Sequence, residues 1–298
     1  MAAGSWYVAH TVIPEVVVPG KRLGRHVRHD SRNLQYRHVR QDRALTSQLW
    51  TRNISILDQG NIGSCTANMG VGALGTDPLY AALPAAHPAL NEQFAVQIYS
   101  AEETLDGDGP YPPQDNGSTG PTCGQVLKTL GLISGYTHCL SLDDILDALE
   151  DGPVGIGSNW YDSMDTPDSS GLVTISPDAT VRGGHEYLCR GKDTDQQLVH
   201  LDNSWGTTWG VQGSFSYSYA TLERLLGEQG DGTVPIPLTS PAPVPVPVPP
   251  QPAPDPGPDD ADLVLFRKVQ PWVGQHHVGS NAVTAKDLEQ WIAAKGFQ

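Results

Sequence analysis

The sequence predicts an α+β chain in which a helical layer faces an antiparallel sheet. Residues 65–150 carry apolar positions at helical spacing, whereas residues 153–219 break into short β-branched and aromatic runs separated by Gly, Asp and Pro. Helices followed by strands, without alternation, give segregated layers. A Cys in the helical half and a His and an Asn in the strand half suggest a cleft between the layers.

The elements follow in order. After Cys65, Met69 and Ala73 stand at i, i+4 with Leu74 beside them, predicting a short helix that starts near the Cys. Gly70 and Gly72 weaken it but allow close packing. Phe94, Ile98 and Tyr99 share one side of a helix over Glu92–Glu103, residues 125–132 suggest a second, and Ser141 opens a third as its N-cap. Strands are expected at residues 154–156, 172–175, 186–189, 198–201 and 214–219.

The chemistry-bearing residues are Cys65, His185 and Asn203, with Asn203 lying 18 residues after His185 and 138 after Cys65. A Cys preceded by small residues, with His and then Asn far downstream, is the pattern of a thiol nucleophile with its base and the residue that orients the base. A thiol at a helix N-terminus beside an imidazolium ionises more readily. His185 would take the thiol proton and return it to the leaving amine, and Asn203 would hold the other ring nitrogen. Gln59, six residues before Cys65, would join the Cys65 backbone N–H in binding an oxyanion.

These residues resemble the papain family of cysteine peptidases over roughly residues 48–226. The matching motifs are Gln59, Gly63-Ser64-Cys65, Gly184-His185 and Asn203-Ser204-Trp205-Gly206-Thr207-Thr208-Trp209-Gly210; Gly152-Pro153-Val154 and residues 161–171 are also similar. The resemblance implies a two-layer fold with a helical and an antiparallel β subdomain flanking a cleft. It further implies peptide-bond hydrolysis through a Cys thioester, with a peptide or protein substrate and no cofactor. Trp205 would shield the His–Asn bond, Trp209 would pack near the leaving-group side, Gly184 would border the substrate, and Thr119-Gly120 would offer backbone to it. The chain departs from the family at Thr66, where an aromatic is usual, and at Ile62, where a disulfide Cys is usual. It also has the charged Glu186 after His185 in place of a small apolar residue. These features resemble short bacterial or bacteriophage versions. A papain-fold structural or binding protein without catalysis, and transferase chemistry on the same acyl-enzyme, remain alternatives.

Composition bounds the reading. The chain has 298 residues with 38% hydrophobic content and no apolar run near 18 residues, so it can build a core and predicts no membrane span. Its first residues lack a basic and then apolar leader, which predicts no secretory signal. Cys65, Cys123, Cys139 and Cys189 are too few for a disulfide framework; Cys123 with Cys139 is the one candidate pair, against buried free thiols. No cluster has metal-ligand spacing, His276-His277 included. A net charge of -15 argues against a nucleic-acid binder.

The same charge is unevenly spread. Residues 1–50 hold eight of the 18 basic side chains, so residues 1–47 read as a basic arm that either lies across the acidic body or docks an acidic partner or nucleic acid, and that is too short for the inhibitory pro-domain of secreted family members. The peptidase-like domain is drawn at 48–232. Residues 235–258 hold 12 of the 25 prolines, predicting an extended linker over 233–260. The last segment, 261–298, has a Thr284-Ala285-Lys286-Asp287 cap and a Leu288, Trp291, Ile292 stripe. It reads either as a small module for virion, cell-wall or other surface attachment or as a helix folded back on the body.

Overall fold

The computed structural model describes residues 9–29 and 36–238. The proline-rich stretch beyond residue 238, the Thr284 cap and the C-terminal stripe lie outside the described residues.

The α+β architecture is as predicted. Helices α1 (Cys65–Leu74), α2 (Leu79–Ala82), α3 (Glu92–Asp106) and α4 (Gly120–Thr129) come first. Strand β4 (Gly135–Cys139) and helix α5 (Leu142–Ala148) follow, then β5 (Val154–Tyr161), β6 (Val181–Asp193), β7 (Leu198–Asp202) and β8 (Ser214–Ser218). Helix α6 (Tyr219–Gly227) and strand β9 (Asp231–Ile236) close the described body. The sheet order is β4-β9-β5-β6-β7-β8, all antiparallel, with the short β3 (Gln48–Leu49) on β6. Upstream, β1 (Ala9–Thr11) pairs antiparallel with β2 (Val27–His29).

Helix α1 is buried on every side, so its position depends on packing rather than amphipathicity. A Cβ on Gly70 would overlap Cys123 Sγ of α4, which explains why a helix-weakening residue stands there. Helices α3, α4, α5 and α6 use side-chain caps: Asn91, Thr119, Ser141 and Ser218 each accept from the N3 backbone N–H. On the sheet side, Trp160, Tyr187, Phe215 and Tyr217 pack edge to face with centroids 5.1–6.0 Å apart, and Leu222 and Leu225 of α6 cover them.

Three sequence expectations change. Residues 172–175 form no strand but one bridge, Leu172 to Ser216, because the Asp168 carboxylate collects the Ser170 and Leu172 N–H groups into a local turn. Tyr219 leaves the expected last strand to start α6, capped by Ser218. Strand β9 crosses the boundary drawn after residue 232: Thr233 to Ile236 pair with Gly135 to His138, so the folded sheet continues through Ile236 despite Pro235. Cys65, Cys123, Cys139 and Cys189 are free and buried, so the Cys123–Cys139 pair does not form. Among the described residues no helix is long and apolar enough to cross a membrane, and no His/Cys/Asp/Glu group could hold a metal.

Candidate active site

Cys65 is the first residue of α1, so its backbone N–H is one of the N-terminal donors that no helical carbonyl takes. Helix α1 packs against β6, and the Glu186 backbone N–H lies within hydrogen-bonding reach of the thiol. The helix terminus that carries the thiol therefore lies against the strand that carries His185, with no hydrogen bond between Cys65 Sγ and the His185 ring. In β6 and the turn after β7, His185 Nε2 and Asn203 Oδ1 are 2.8 Å apart. Ser204 N–H donates to the same Oδ1 at 2.8 Å, which identifies that atom as the carbonyl oxygen. His185 Nε2 is consequently the donor, and in the neutral ring Nδ1 carries the lone pair. Nδ1 is buried and has no hydrogen-bond partner among the described residues.

Aromatic rings fix the imidazole. Trp205 stacks on His185 with centroids 5.0 Å apart, Trp160 meets it edge-on at 5.0 Å, and Trp209 packs against Trp205 at 5.2 Å. Burial is the main force holding the His185 pKa down to about 3, with the Asn203 bond opposing it. Burial also pushes the Cys65 thiol well up, reinforced by the Glu186 carboxyl. In this state the site holds a neutral thiol and a neutral imidazole.

Gln59 is tied into the loop ahead of the Cys. Its Nε2 donates to Ile62 O at 2.8 Å and its Oε1 accepts from Ser204 Oγ, leaving one amide N–H uncommitted. Thr119 is the N-cap of α4, and Gly120 packs so closely that a Cβ would overlap Glu186 Oε1 and Thr233 Oγ1. The backbone that meets an extended chain is one position earlier, at Ser118.

That extended chain is the N-terminal arm. Gly24 N–H and Arg25 N–H donate to Gly184 O at 3.1 and 3.0 Å. Across the cleft His26 N–H donates to Ser118 O at 2.7 Å, and Ser118 N–H donates to Gly24 O at 2.9 Å, a parallel pairing. Gly24 lies against Gly63, two residues before Cys65, so closely that a Cβ would overlap the Gly63 carbonyl oxygen; a Cβ on Gly117 would in turn overlap Gly24 O. Trp205 Nε1 donates to Arg22 O, Arg182 holds Val16 O and Lys21 O, and Leu23 is fully buried. The arm thus fills the cleft from wall to wall beside the fully buried Cys65, although its length predicted no inhibitory pro-domain.

The second half of the arm behaves as charge predicted. Arg37, His38, Arg40 and Arg43 face Asp144, Asp147, Asp143 and Asp151 on and beside α5, with His38 Nε2 2.7 Å from Asp147 and Arg43 held by both Asp147 and Asp151. Burial raises the Asp147 carboxyl, but hydrogen bonds from His38 and Arg43 outweigh it and leave the pKa low. Sequence reasoning missed Ser118, Gly24, Trp160 and Asp231: nothing local marks a backbone-pairing residue or an acid brought in by β9.

No family model and no curated protein matches the chain. Among solved structures, xylellain, a cysteine protease from Xylella fastidiosa, superposes with a TM-score of 0.60 and 20% identity, covering 76% of this chain and 100% of that one. Procathepsin L 3 of the Tenebrio molitor larval midgut gives 0.49 at 17% identity, covering 68% of this chain and 74% of that one. At such identity the likeness is one of fold: the chain has the papain-like cysteine protease fold.

Proposed function

We propose that the chain is a cysteine peptidase whose cleft is closed by its own arm. Cys65 is the nucleophile, His185 the base, Asn203 its orienter, and the Cys65 backbone N–H with the free Gln59 amide N–H the oxyanion donors. The observation that carries this reading is the His185 ring, engaged at Nε2 by Asn203 and left with an unpartnered lone pair at Nδ1, on the strand that packs against the Cys65 helix. When the arm leaves and water and a peptide enter, relief of burial lowers the thiol pKa and raises that of the imidazole, so the proton can pass from Sγ to Nδ1. The thiolate then attacks the scissile carbonyl, the imidazolium protonates the departing amine, and water hydrolyses the thioester. Peptide or protein is the substrate class. Trp205 keeps water from the His–Asn bond, and Gly184 and Ser118 supply backbone to the substrate on opposite walls. Trp209 supports Trp205. A C-terminal segment beyond the proline-rich stretch would carry any attachment to a virion, cell wall or other surface.

The arm also supports a second reading, a papain-fold binding protein in which Cys65 stays covered. Hydrolysis of mixed peptide substrates by the full chain, compared with Cys65→Ala and His185→Ala, separates the two. The peptidase reading expects activity in the wild type alone, and equal turnover in the Cys65→Ala chain refutes it.

A further inference from the structure

One arm side chain enters the body more deeply than docking requires. Arg25, 2% exposed, extends into a buried pocket beside His185 where its Nη2 pairs with Asp231 Oδ1 and donates to Gln229 O at 2.8 Å. Its Nε stands 4.0 Å from Glu186 Oε2. Gly157 of β5 completes the wall, since a Cβ there would strike Arg25 Nε, Glu186 Oε2 and Asp231 Oδ1.

We infer that this acidic pocket, formed by Glu186, Asp231 and Gly157, is a side-chain subsite that selects arginine in the peptides the chain cleaves, with Arg25 as its resting occupant. The inference rests on the peptidase reading. Three observations carry it. First, the Arg25 backbone is gripped by Gly184 and the next residue by Ser118, the two segments that the proposed function gives to the substrate backbone. Second, the acid of the pocket is not saturated by its occupant: Glu186 Oε2 stands 4.0 Å from Arg25 Nε and accepts no hydrogen bond, and Arg25 Nη1 donates none among the described residues. Third, withdrawal of the arm leaves Glu186 and Asp231 facing each other, with Glu102 nearby and His138 Nε2 3.7 Å from Asp231. Burial, then Asp231, pushes the Glu186 carboxyl up while Arg25 draws it down. A cation entering with a substrate satisfies that arrangement, whereas a neutral side chain leaves buried acid without a partner.

Two measurements on the full chain test the inference. In Arg25→Ala, n-propylguanidinium should raise the melting temperature saturably while n-propylurea of the same shape should not, and the wild type should respond to neither. Peptides identical except for arginine against citrulline should differ at least about tenfold in kcat/KM, the discrimination expected for charged hydrogen bonds over neutral ones. If Arg25→Ala fails to fold, the peptide pair decides alone in the wild type. Equal shifts by guanidinium and urea, or equal cleavage of the two peptides, overturn the subsite. If no peptide is cleaved and no thiol-directed probe reaches Cys65, yet propylguanidinium still stabilises Arg25→Ala, the peptidase reading falls and the guanidinium pocket stands.

Discussion

Replacing Gly24 with alanine should expel the arm from the cleft. Gly24 has φ +148, and a Cβ there would overlap the backbone of Gly63, which lies in the bend just before α1. The strain of a side chain in that conformation is on the order of 1–3 kcal/mol. The same displacement weakens four backbone hydrogen bonds, from Gly24, Arg25, His26 and Ser118, each worth about 1 kcal/mol net. Even if half of this is recovered by relaxation, docking weakens by about 3 kcal/mol, or roughly a hundredfold in the open population. The assay is the alkylation rate of each thiol in the full chain, followed by peptide mass mapping. Cys65 should react about 10²-fold faster in Gly24→Ala than in the wild type, with Cys123, Cys139 and Cys189 unchanged. An unchanged Cys65 rate, or a parallel rise at all four thiols, refutes the reasoning, the latter because it signals general loosening.

Further outcomes follow from the same structure. His185→Ala should lower peptide turnover by about 10² to 10⁴, and Asn203→Ala by less, since the Trp205 and Trp160 rings still hold the imidazole; near-normal turnover in His185→Ala removes the base assignment. Glu102, which accepts from Thr66 Oγ1 beside Cys65, has its pKa raised by burial from 4.5 to about 8. A raised carboxyl keeps its proton folded but loses it unfolded between those values, so stability falls as pH rises through that window, by roughly 3–5 kcal/mol. Glu102→Gln should flatten that part of the curve in denaturant titrations, and parallel curves would show that Glu102 does not titrate there. A chain ending after Leu238 should keep its melting temperature, whereas one ending at Val234 should melt lower, because Pro235 and Ile236 pair with Tyr136 and Gly135 and Ile236 O accepts from Ser134 N–H; equal melting would place the end of the sheet earlier.

The fold class and candidate site were legible because they rest on local signals. Helix-period runs, capping residues such as Ser141, and the Gly-His and Asn-Ser-Trp-Gly motifs each lie within a few consecutive residues. What escaped was set by distant partners. Residues 172–175 carry a strand composition, but the Asp168 turn engages both backbone groups of Leu172, and only Val173 N–H reaches β8. Strand β9 contains Pro235 and abuts the proline-rich stretch, yet it lies between β4 and β5, a neighbourhood no local pattern encodes. The arm was legible as a charge contrast, and its Arg37 to Arg43 half meets the acids of α5 accordingly. Its cleft-filling half, residues 15–27, is placed by backbone pairing and by a glycine approach, neither of which has a compositional signature.

The proposed activation of Cys65 by His185 requires the arm to yield. It is tested most directly by exposing the full-length Gly24→Ala chain to a peptidyl epoxide near neutral pH and locating the adduct by mass spectrometry. One adduct is expected, on Cys65, and its formation should slow by at least about tenfold when His185→Ala is added. Peptide hydrolysis without an adduct on Cys65, or equal labelling with and without His185, would contradict it.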